Sequence, residues 1–255
     1  LWSDSLMFDK EAQLYYRDAK YIYPKVKTAS GGKSFWARGD GWVLAGLAKV
    51  LADMPKDYKH RDFFVDRFQQ LAQGVARCQQ DAGYWRRSML CEADAPGPET
   101  SGTAFFTYGM LWGVNNGLLD RAKYAPVIDK AWNYLVKTAL QPDGSIGYVQ
   151  PIGEKPDPTK NVDAKSQAPF GTGAWLLAAC EMVRYMDGTV GSFKPSMTVE
   201  VKNATSEMRR EIIELDAKTV YGKLNIGGGR QFIVRDAYRM ELPYQLTYDG
   251  KVLVE

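Results

Sequence analysis

Three times along this chain, a short run of small residues leads into a long, mostly apolar stretch: Gly39-Asp40-Gly41-Trp42, Ser101-Gly102-Thr103 and Gly171-Thr172-Gly173. These starts lie about 62 and 70 residues apart, and an amphipathic stretch separates each from the next. Over residues 62–80 the pattern places Phe64, Phe68, Leu71, Val75 and Cys78 on one stripe, and residues 124–140 are amphipathic again. Each amphipathic stretch runs into a glycine-centred turn, one around Gln80-Asp81-Ala82-Gly83-Tyr84-Trp85 and one around Gln141-Pro142-Asp143-Gly144-Ser145-Ile146-Gly147-Tyr148. Repetition at this length, with two helix types alternating, predicts helical hairpins set around a toroid.

In that arrangement residues 41–54, 101–118 and 170–186 are inner helices, apolar because neighbours cover them on both sides. Within 41–54 the packed side is expected at Val43, Leu47, Val50 and Leu51, and Pro55 ends the helix. The Gly-, Ser- and Thr-rich starts of the inner helices would line a shared cavity. Residues 1–185 hold about six helices, and a closed ring of six hairpins needs twice that. Roughly half of such a ring is therefore expected to lie outside this sequence. The ends read the same way, since Leu1-Trp2-Ser3-Asp4 is no translation start and the chain closes on a strand-like 251–255.

After about residue 188 the period changes from helical to 2. Residues 197–202, 211–215, 231–235 and 243–248 alternate, and Asp249-Gly250 is a hairpin signal before 251–255. The expected division is a helical domain over 1–188 and a small, incomplete β-sandwich-like antiparallel segment over 189–255.

Composition removes several function classes. Thirty-three basic against thirty acidic side chains leave a net charge of +3 with no basic stripe, so no nucleic-acid partner is expected. No apolar run approaches the ~18 residues of a membrane span, so no membrane partner is expected either. Three scattered cysteines, Cys78, Cys91 and Cys180, suit neither a disulfide framework nor a zinc site. The chain has one histidine, His60, in a polar stretch that reads as solvated surface. Multi-histidine metal sites are thereby excluded, and no metal or cofactor is expected. Chemistry has to run on carboxylates, arginines, hydroxyls and aromatics.

The densest cluster of such groups is Ser34-Phe35-Trp36-Ala37-Arg38-Gly39-Asp40-Gly41-Trp42. Arg38 offers a planar fork for a carboxylate, and the indoles offer flat faces for sugar rings. The same residues also suit a packed helix start, with Asp40 as cap and Arg38 in a structural ion pair. Glu99-Thr100-Ser101-Gly102-Thr103 carries the same ambiguity between ligand contact and capping, and Asp4 before an apolar run reads by itself as an N-cap.

Leu1-Trp2-Ser3-Asp4-Ser5-Leu6-Met7, Phe35-Trp36-Ala37-Arg38-Gly39-Asp40-Gly41-Trp42, Pro98-Glu99-Thr100-Ser101-Gly102-Thr103 and Gly171-Thr172-Gly173-Ala174-Trp175 together resemble glycoside hydrolase family 105, in that family's order. Asn115-Asn116-Gly117-Leu118-Leu119-Asp120 and Val149-Gln150-Pro151-Ile152-Gly153 add to the likeness, which covers about residues 1–187. The family comprises unsaturated rhamnogalacturonyl hydrolases, related to unsaturated glucuronyl hydrolases. The resemblance implies an (α/α)6 six-hairpin barrel and an oligosaccharide substrate of the pectin or rhamnogalacturonan type, left by polysaccharide lyases. It further implies a bacterial periplasmic or cytoplasmic setting. The implied reaction hydrates the C4=C5 bond of a terminal unsaturated uronic acid, one aspartate protonating C4 and activating the water that adds at C5.

By this resemblance Asp4 is the catalytic residue, in a cavity walled by Trp2 and other aromatics. Arg38 and Trp42 match positions that contact the unsaturated sugar, with Trp36 helping to form the wall. The full set of candidate substrate-binding residues is Trp2, Trp36, Arg38, Asp40, Trp42, Thr103 and Thr172. Two positions depart from the family pattern. Many relatives have a histidine where this chain has Tyr15-Tyr16-Arg17-Asp18, and Asn where Asp40 stands.

Overall fold

A computed structural model of the protein describes residues 2–186, 197–200, 202, 213–224, 234–235, 241–242, 247–248 and 251–252. The chain divides into two compact units, Leu1–Gly191 and Ser192–Glu255.

The first unit is almost wholly helical. A short helix α1 (Trp2–Met7) leads into an antiparallel pair, β1 (Phe8–Asp9) and β2 (Leu14–Tyr15), with Phe8 opposite Tyr15 and Asp9 opposite Leu14. Then come α2 (Ala37–Asp53), α3 (Arg61–Arg77), α4 (Thr100–Asn115), α5 (Arg121–Tyr134, extended by a π turn over Leu135–Ala139) and α6 (Pro169–Met186). Helix α4 lies between α2 and α6 and packs on both, while α3 and α5 lie against this row. The order of mostly apolar and amphipathic helices is the one the repeat predicts. Every residue of α4 from Thr100 to Val114 is buried, as its unbroken apolar run requires.

The inner helices approach each other at glycines, and this corrects the expected packed side of α2. Its buried residues include Gly41, Leu44, Ala45, Ala48 and Leu51, whereas Val50 is 49% exposed. A methyl group on Gly41 would lie 3.1 Å from Cβ of Phe105, and one on Gly109 would lie 2.6 Å from Cγ of Leu44. Small residues thus set the contact, and a pattern weighted by large apolar side chains points to the wrong edge. Helix α6 departs in a similar way, for Leu176, Val183 and Met186 on its outward side are exposed.

The two glycine-centred turns share one hydrogen-bond pattern. Gly83 N–H donates to Gln80 O at 2.8 Å and Gln80 N–H to Tyr84 O at 2.9 Å; Gly144 and Gln141 do the same with Gln141 O (2.9 Å) and Ser145 O (2.8 Å). Both glycines have positive φ, 94° and 84°. Beyond each turn the chain runs beside the inner-helix starts. Ala37 N–H donates to Arg87 O, Met89 N–H to Phe35 O, Glu99 N–H to Trp85 O and Thr100 N–H to Tyr148 O, all at 3.0–3.1 Å. These strand-like bonds hold the starts of α2 and α4 beside the loop at 148–153.

In the second unit, α7 (Ala217–Leu224) is N-capped by Asp216, which accepts from Thr219 N–H at 2.8 Å. Two antiparallel pairs follow: β3 (Val234–Arg235) with β4 (Glu241–Leu242), and β5 (Thr247–Tyr248) with β6 (Lys251–Val252). Tyr248 opposite Lys251 gives the register of a two-residue hairpin loop at Asp249-Gly250, residues that themselves lie outside those described. Residues 197–200, 202 and 213–215, where alternation predicts strands, lie in none among the described residues. The expected strand residues 211–212, 231–233, 243–246 and 253–255 lie outside the described residues.

Candidate active site

The N-terminal turn of α2, the segment after β2, the loop at 150–153 and the first turn of α6 enclose an open pocket of about 490 Å³. Its walls are largely aromatic: Tyr15, Tyr16, Trp36, Trp42 and Phe170, with Ile152 and Gly153 on the opposite lip. Trp42 is 51% exposed and packs its ring 4.3 Å from that of Phe105, which leaves one indole face to the cavity. Trp36 donates its Nε1–H to Oε1 of Gln150 at 3.0 Å, tying the wall to the lip.

Arg38 lines the pocket but is only 4% exposed. Its Nε–H donates to Ser101 Oγ at 2.9 Å, Nη1 to Pro151 O at 3.3 Å, and Nη2 to Gln150 O, with Glu99 Oε1 3.5 Å away. The guanidinium sits 5.1 Å from the Trp36 ring and 4.4 Å from the Phe170 ring. Arg38 thus lines the pocket while packed into the helix start, with Glu99 as its ionic partner.

Glu99 is fully buried beneath this arginine. It caps α4 by accepting from Ser101 N–H (3.3 Å) and Gly102 N–H (2.6 Å), and it also accepts from Ser101 Oγ–H (2.7 Å) and Gln150 N–H (3.2 Å). One carboxylate therefore fixes the starts of α2 and α4 and the pocket lip.

The two wall tyrosines point their hydroxyls away from the cavity, into carboxylates. Tyr16 O–H donates to Asp9 at 3.0 Å and Tyr15 O–H donates to Asp4. Burial first, and then these carboxylates, push the Tyr16 hydroxyl up to about 12 and the Tyr15 hydroxyl higher still. Each phenol proton is thus engaged by a carboxylate.

Asp4 itself is absent from the pocket wall. Arg67 of α3 pairs with it through Nε at 2.7 Å, and Tyr15 stands between it and the cavity. Both contacts fall on Oδ1 of Asp4, one hydroxyl away from the Tyr15 wall of the pocket. Four further candidates also lie off the wall. Trp2 is 79% exposed on α1; Thr103 is buried, its hydroxyl accepting from Trp85 N–H at 3.1 Å; Thr172 is exposed on α6; Asp40 is fully buried. Trp36, Arg38 and Trp42 are the candidates brought together. His60 is half-buried as the residue preceding α3, against Tyr58. Among the described residues no group of His, Cys, Asp and Glu is placed to hold a metal, and no helix is long and apolar enough to cross a membrane.

Asp40 accepts from Tyr15 N–H at 2.7 Å through Oδ1, while its buried Oδ2 has no partner. Burial holds its carboxyl well above the usual carboxylate range, the Tyr15 bond offsetting only part. Burial thereby disfavours the negative charge that would trouble an acidic ligand. A carboxyl whose pKa is raised by folding stabilises the fold below its unfolded value of about 3.9, and that contribution is lost as pH rises through the folded value. Asp40→Asn keeps the Oδ1 acceptor and cannot ionise. Urea unfolding is expected to show equal stability for wild type and Asp40→Asn near pH 4, and a more stable Asn variant at neutral and alkaline pH.

The model of glycosyl hydrolase family 88 matches residues 2–186. The chain belongs to this family. An unsaturated 3S-rhamnoglycuronyl hydrolase from Formosa agariphila is 43% identical over 182 residues, which are 70% of this chain and 47% of that protein. A solved family 88 glycosyl hydrolase from Bacteroides vulgatus is 59% identical, with a TM-score of 0.70 over 72% of this chain and 53% of that one. A solved chain described as a polysaccharide lyase is 66% identical, with a TM-score of 0.70 over 73% of this chain and 52% of that one. A possible family 105 member from Salmonella enterica, 23% identical with a TM-score of 0.59 over 72% of this chain and 48% of that one, shares the fold. The resemblance read from the motifs is thus supported. The chain spans about half the length of the relatives it matches.

Proposed function

We propose that this protein is a glycoside hydrolase that removes a C4=C5 unsaturated uronic acid from the non-reducing end of lyase-generated oligosaccharides by hydrating the double bond. The observation carrying this reading is the pocket itself: sugar-sized, open at one side, and walled by Trp36, Trp42 and Phe170, whose flat faces suit pyranose rings. Family 88 membership and the name of the Formosa agariphila relative point to a rhamnose-linked uronic acid.

In this reading Arg38 is a wall and not a hand, since Ser101, Gln150 and Pro151 already occupy its donors. Asp4, held behind Tyr15 by its Oδ1, is in this reading the acid that protonates C4 and then takes the proton of the water that adds at C5. The inner row α2, α4 and α6 forms half of a six-hairpin barrel, supported by the exposed apolar residues Trp42, Val50, Leu176 and Val183 on sides an inner helix would cover. The unit after residue 191 is a β-rich accessory module without a catalytic part.

A second reading, polysaccharide lyase, is favoured by the solved chain of that description. Tyr15 and Tyr16 weigh against it, as each hydroxyl already donates to a carboxylate, Asp4 and Asp9, away from the cavity. One assay separates the two. The C4=C5 bond absorbs in the ultraviolet, so hydrolysis of an unsaturated uronyl-rhamnose disaccharide removes absorbance, whereas lysis of intact polysaccharide creates it. Loss is expected with the intact protein, and Asp4→Asn is expected to abolish it with an unchanged melting curve. Turnover retained by Asp4→Asn to within about tenfold would remove Asp4 as the proton carrier; a rise in absorbance on polysaccharide would make the protein a lyase.

A further inference from the structure

Two cations line the pocket, and they differ in what is left of them. Arg38 spends its donors on Ser101, Pro151, Gln150 and Glu99, and its faces on Trp36 and Phe170. Arg17, on the rim, uses only Nη1, which donates to Asp18 Oδ2 at 2.5 Å and to Glu154 Oε2 at 3.3 Å. Among the described residues its Nε and Nη2 meet no protein acceptor, and about a third of the side chain is open to solvent. Glu154 reaches it from the far lip, one residue beyond Gly153, with Tyr21 beneath the guanidinium at 5.9 Å. Two carboxylates of the protein itself thus share one nitrogen of this guanidinium, Asp18 from the adjacent residue and Glu154 from across the cleft at the longer distance, and the other two nitrogens are left for a ligand.

We propose that Arg17 is the specificity-determining cation of this pocket. It takes an oxyanion of the bound acidic sugar, either a uronate carboxylate or a sulfate ester, and Glu154 is the internal carboxylate that the sugar displaces. The inference rests on the acidic-oligosaccharide reading above. The exchange favours the ligand on simple grounds. An exposed ion pair in water is weakly held, and the Arg17–Glu154 contact is long and single. A fork-to-fork pair with an oxyanion that is already held against aromatic walls, where water is scarce, is shorter and stronger. No other side chain on the wall can neutralise an anion, so an acidic sugar without Arg17 would enter an apolar cleft with its charge unpaired.

A purely structural latch and an anion receptor predict different signs. If Arg17 and Glu154 merely hold the lip, breaking the pair from either side loosens the pocket in the same way. If Arg17 receives the substrate, removing it weakens binding, while removing its competitor strengthens binding. The test uses the intact protein with an unsaturated uronyl-rhamnose disaccharide as free acid, as methyl ester, and in sulfated form. Arg17→Ala is expected to raise KM for acidic ligands about tenfold or more with kcat within about threefold, and Glu154→Gln to lower KM about threefold. Loss of discrimination between acid and ester in Arg17→Ala assigns the carboxylate; a penalty confined to the sulfated sugar assigns the sulfate. The proposal falls if both variants shift KM in the same direction, or if Arg17→Ala leaves KM within about twofold. Calorimetric Kd values for the same ligands keep the two readings apart. Binding without turnover counts against the reaction and leaves the Arg17–Glu154 contrast readable; no binding of any acidic sugar overturns the proposal.

Discussion

Glu99→Ala is expected to cost about 3–5 kcal/mol of unfolding free energy, the range for removing one partner of a buried ion pair. The carboxylate is fully buried, and its loss strips acceptors from the first amides of α4, from Gln150 N–H and from Ser101 Oγ at once. It also leaves the Arg38 guanidinium, 4% exposed, without its counter-charge. Glu99→Gln preserves shape and some acceptors and should fall between. Denaturant unfolding followed by tryptophan fluorescence measures both, and a double-mutant cycle with Arg38→Met isolates the pair. A cost below about 1 kcal/mol for Glu99→Ala would mean that water replaces the carboxylate and that the network is less buried than its geometry indicates.

The second large effect is Gly83→Ala, and its twin turn provides the control. Gly83 and Gly144 share the same backbone hydrogen bonds and similar positive φ, so the strain of placing alanine there, about 1–2 kcal/mol, applies to both. They differ in what surrounds them. A methyl group on Gly83 would lie 2.1 Å from the carbonyl oxygen of Lys130 in α5, whereas one on Gly144 meets nothing within 4 Å. Overpacking against backbone adds about 1–3 kcal/mol. Gly83→Ala should therefore lose about 3 kcal/mol or more in urea unfolding, and Gly144→Ala only the conformational share. Equal losses would show that the α5 backbone yields freely to the turn.

The architecture was readable in the sequence to the extent that it rests on repetition. The inner and outer helices, their order and the twin turns follow from the spacing of Gly39, Ser101 and Gly171 and from the Gln80 and Gln141 motifs. What periodicity missed is packing by absence: Gly41, Gly102 and Gly109 set the contact of α2 with α4, and a hydrophobic stripe gives no weight to a residue without a side chain. In the second unit α7 went unseen because a strand-like alternation on either side masked an eight-residue helix.

The site was legible by motif and not by role. Trp36, Arg38 and Trp42 were singled out and do meet at the pocket. Glu99 and Gln150 stood inside quoted motifs, yet nothing in a linear sequence shows that a glutamate caps a helix and clamps a loop 51 residues away. The partners of Asp4 were illegible for the converse reason: a tryptophan two positions before an aspartate fits a catalytic motif, but nothing in it shows that Arg67, on another helix, meets that carboxylate.

The glycine seam between α2 and α4 has a consequence for how such a pocket can be retuned. One wall, Trp36 and Trp42, rides on α2, and the opposing Phe170 rides on α6, with α4 as the spacer between them. Cleft width is therefore set by the thickness of a helix that the ligand never touches. Gly109, where a methyl group would press into Leu44, is the natural adjustment screw. A chain under selection for a bulkier sugar has a route to it through the spacer, leaving every wall residue as it is.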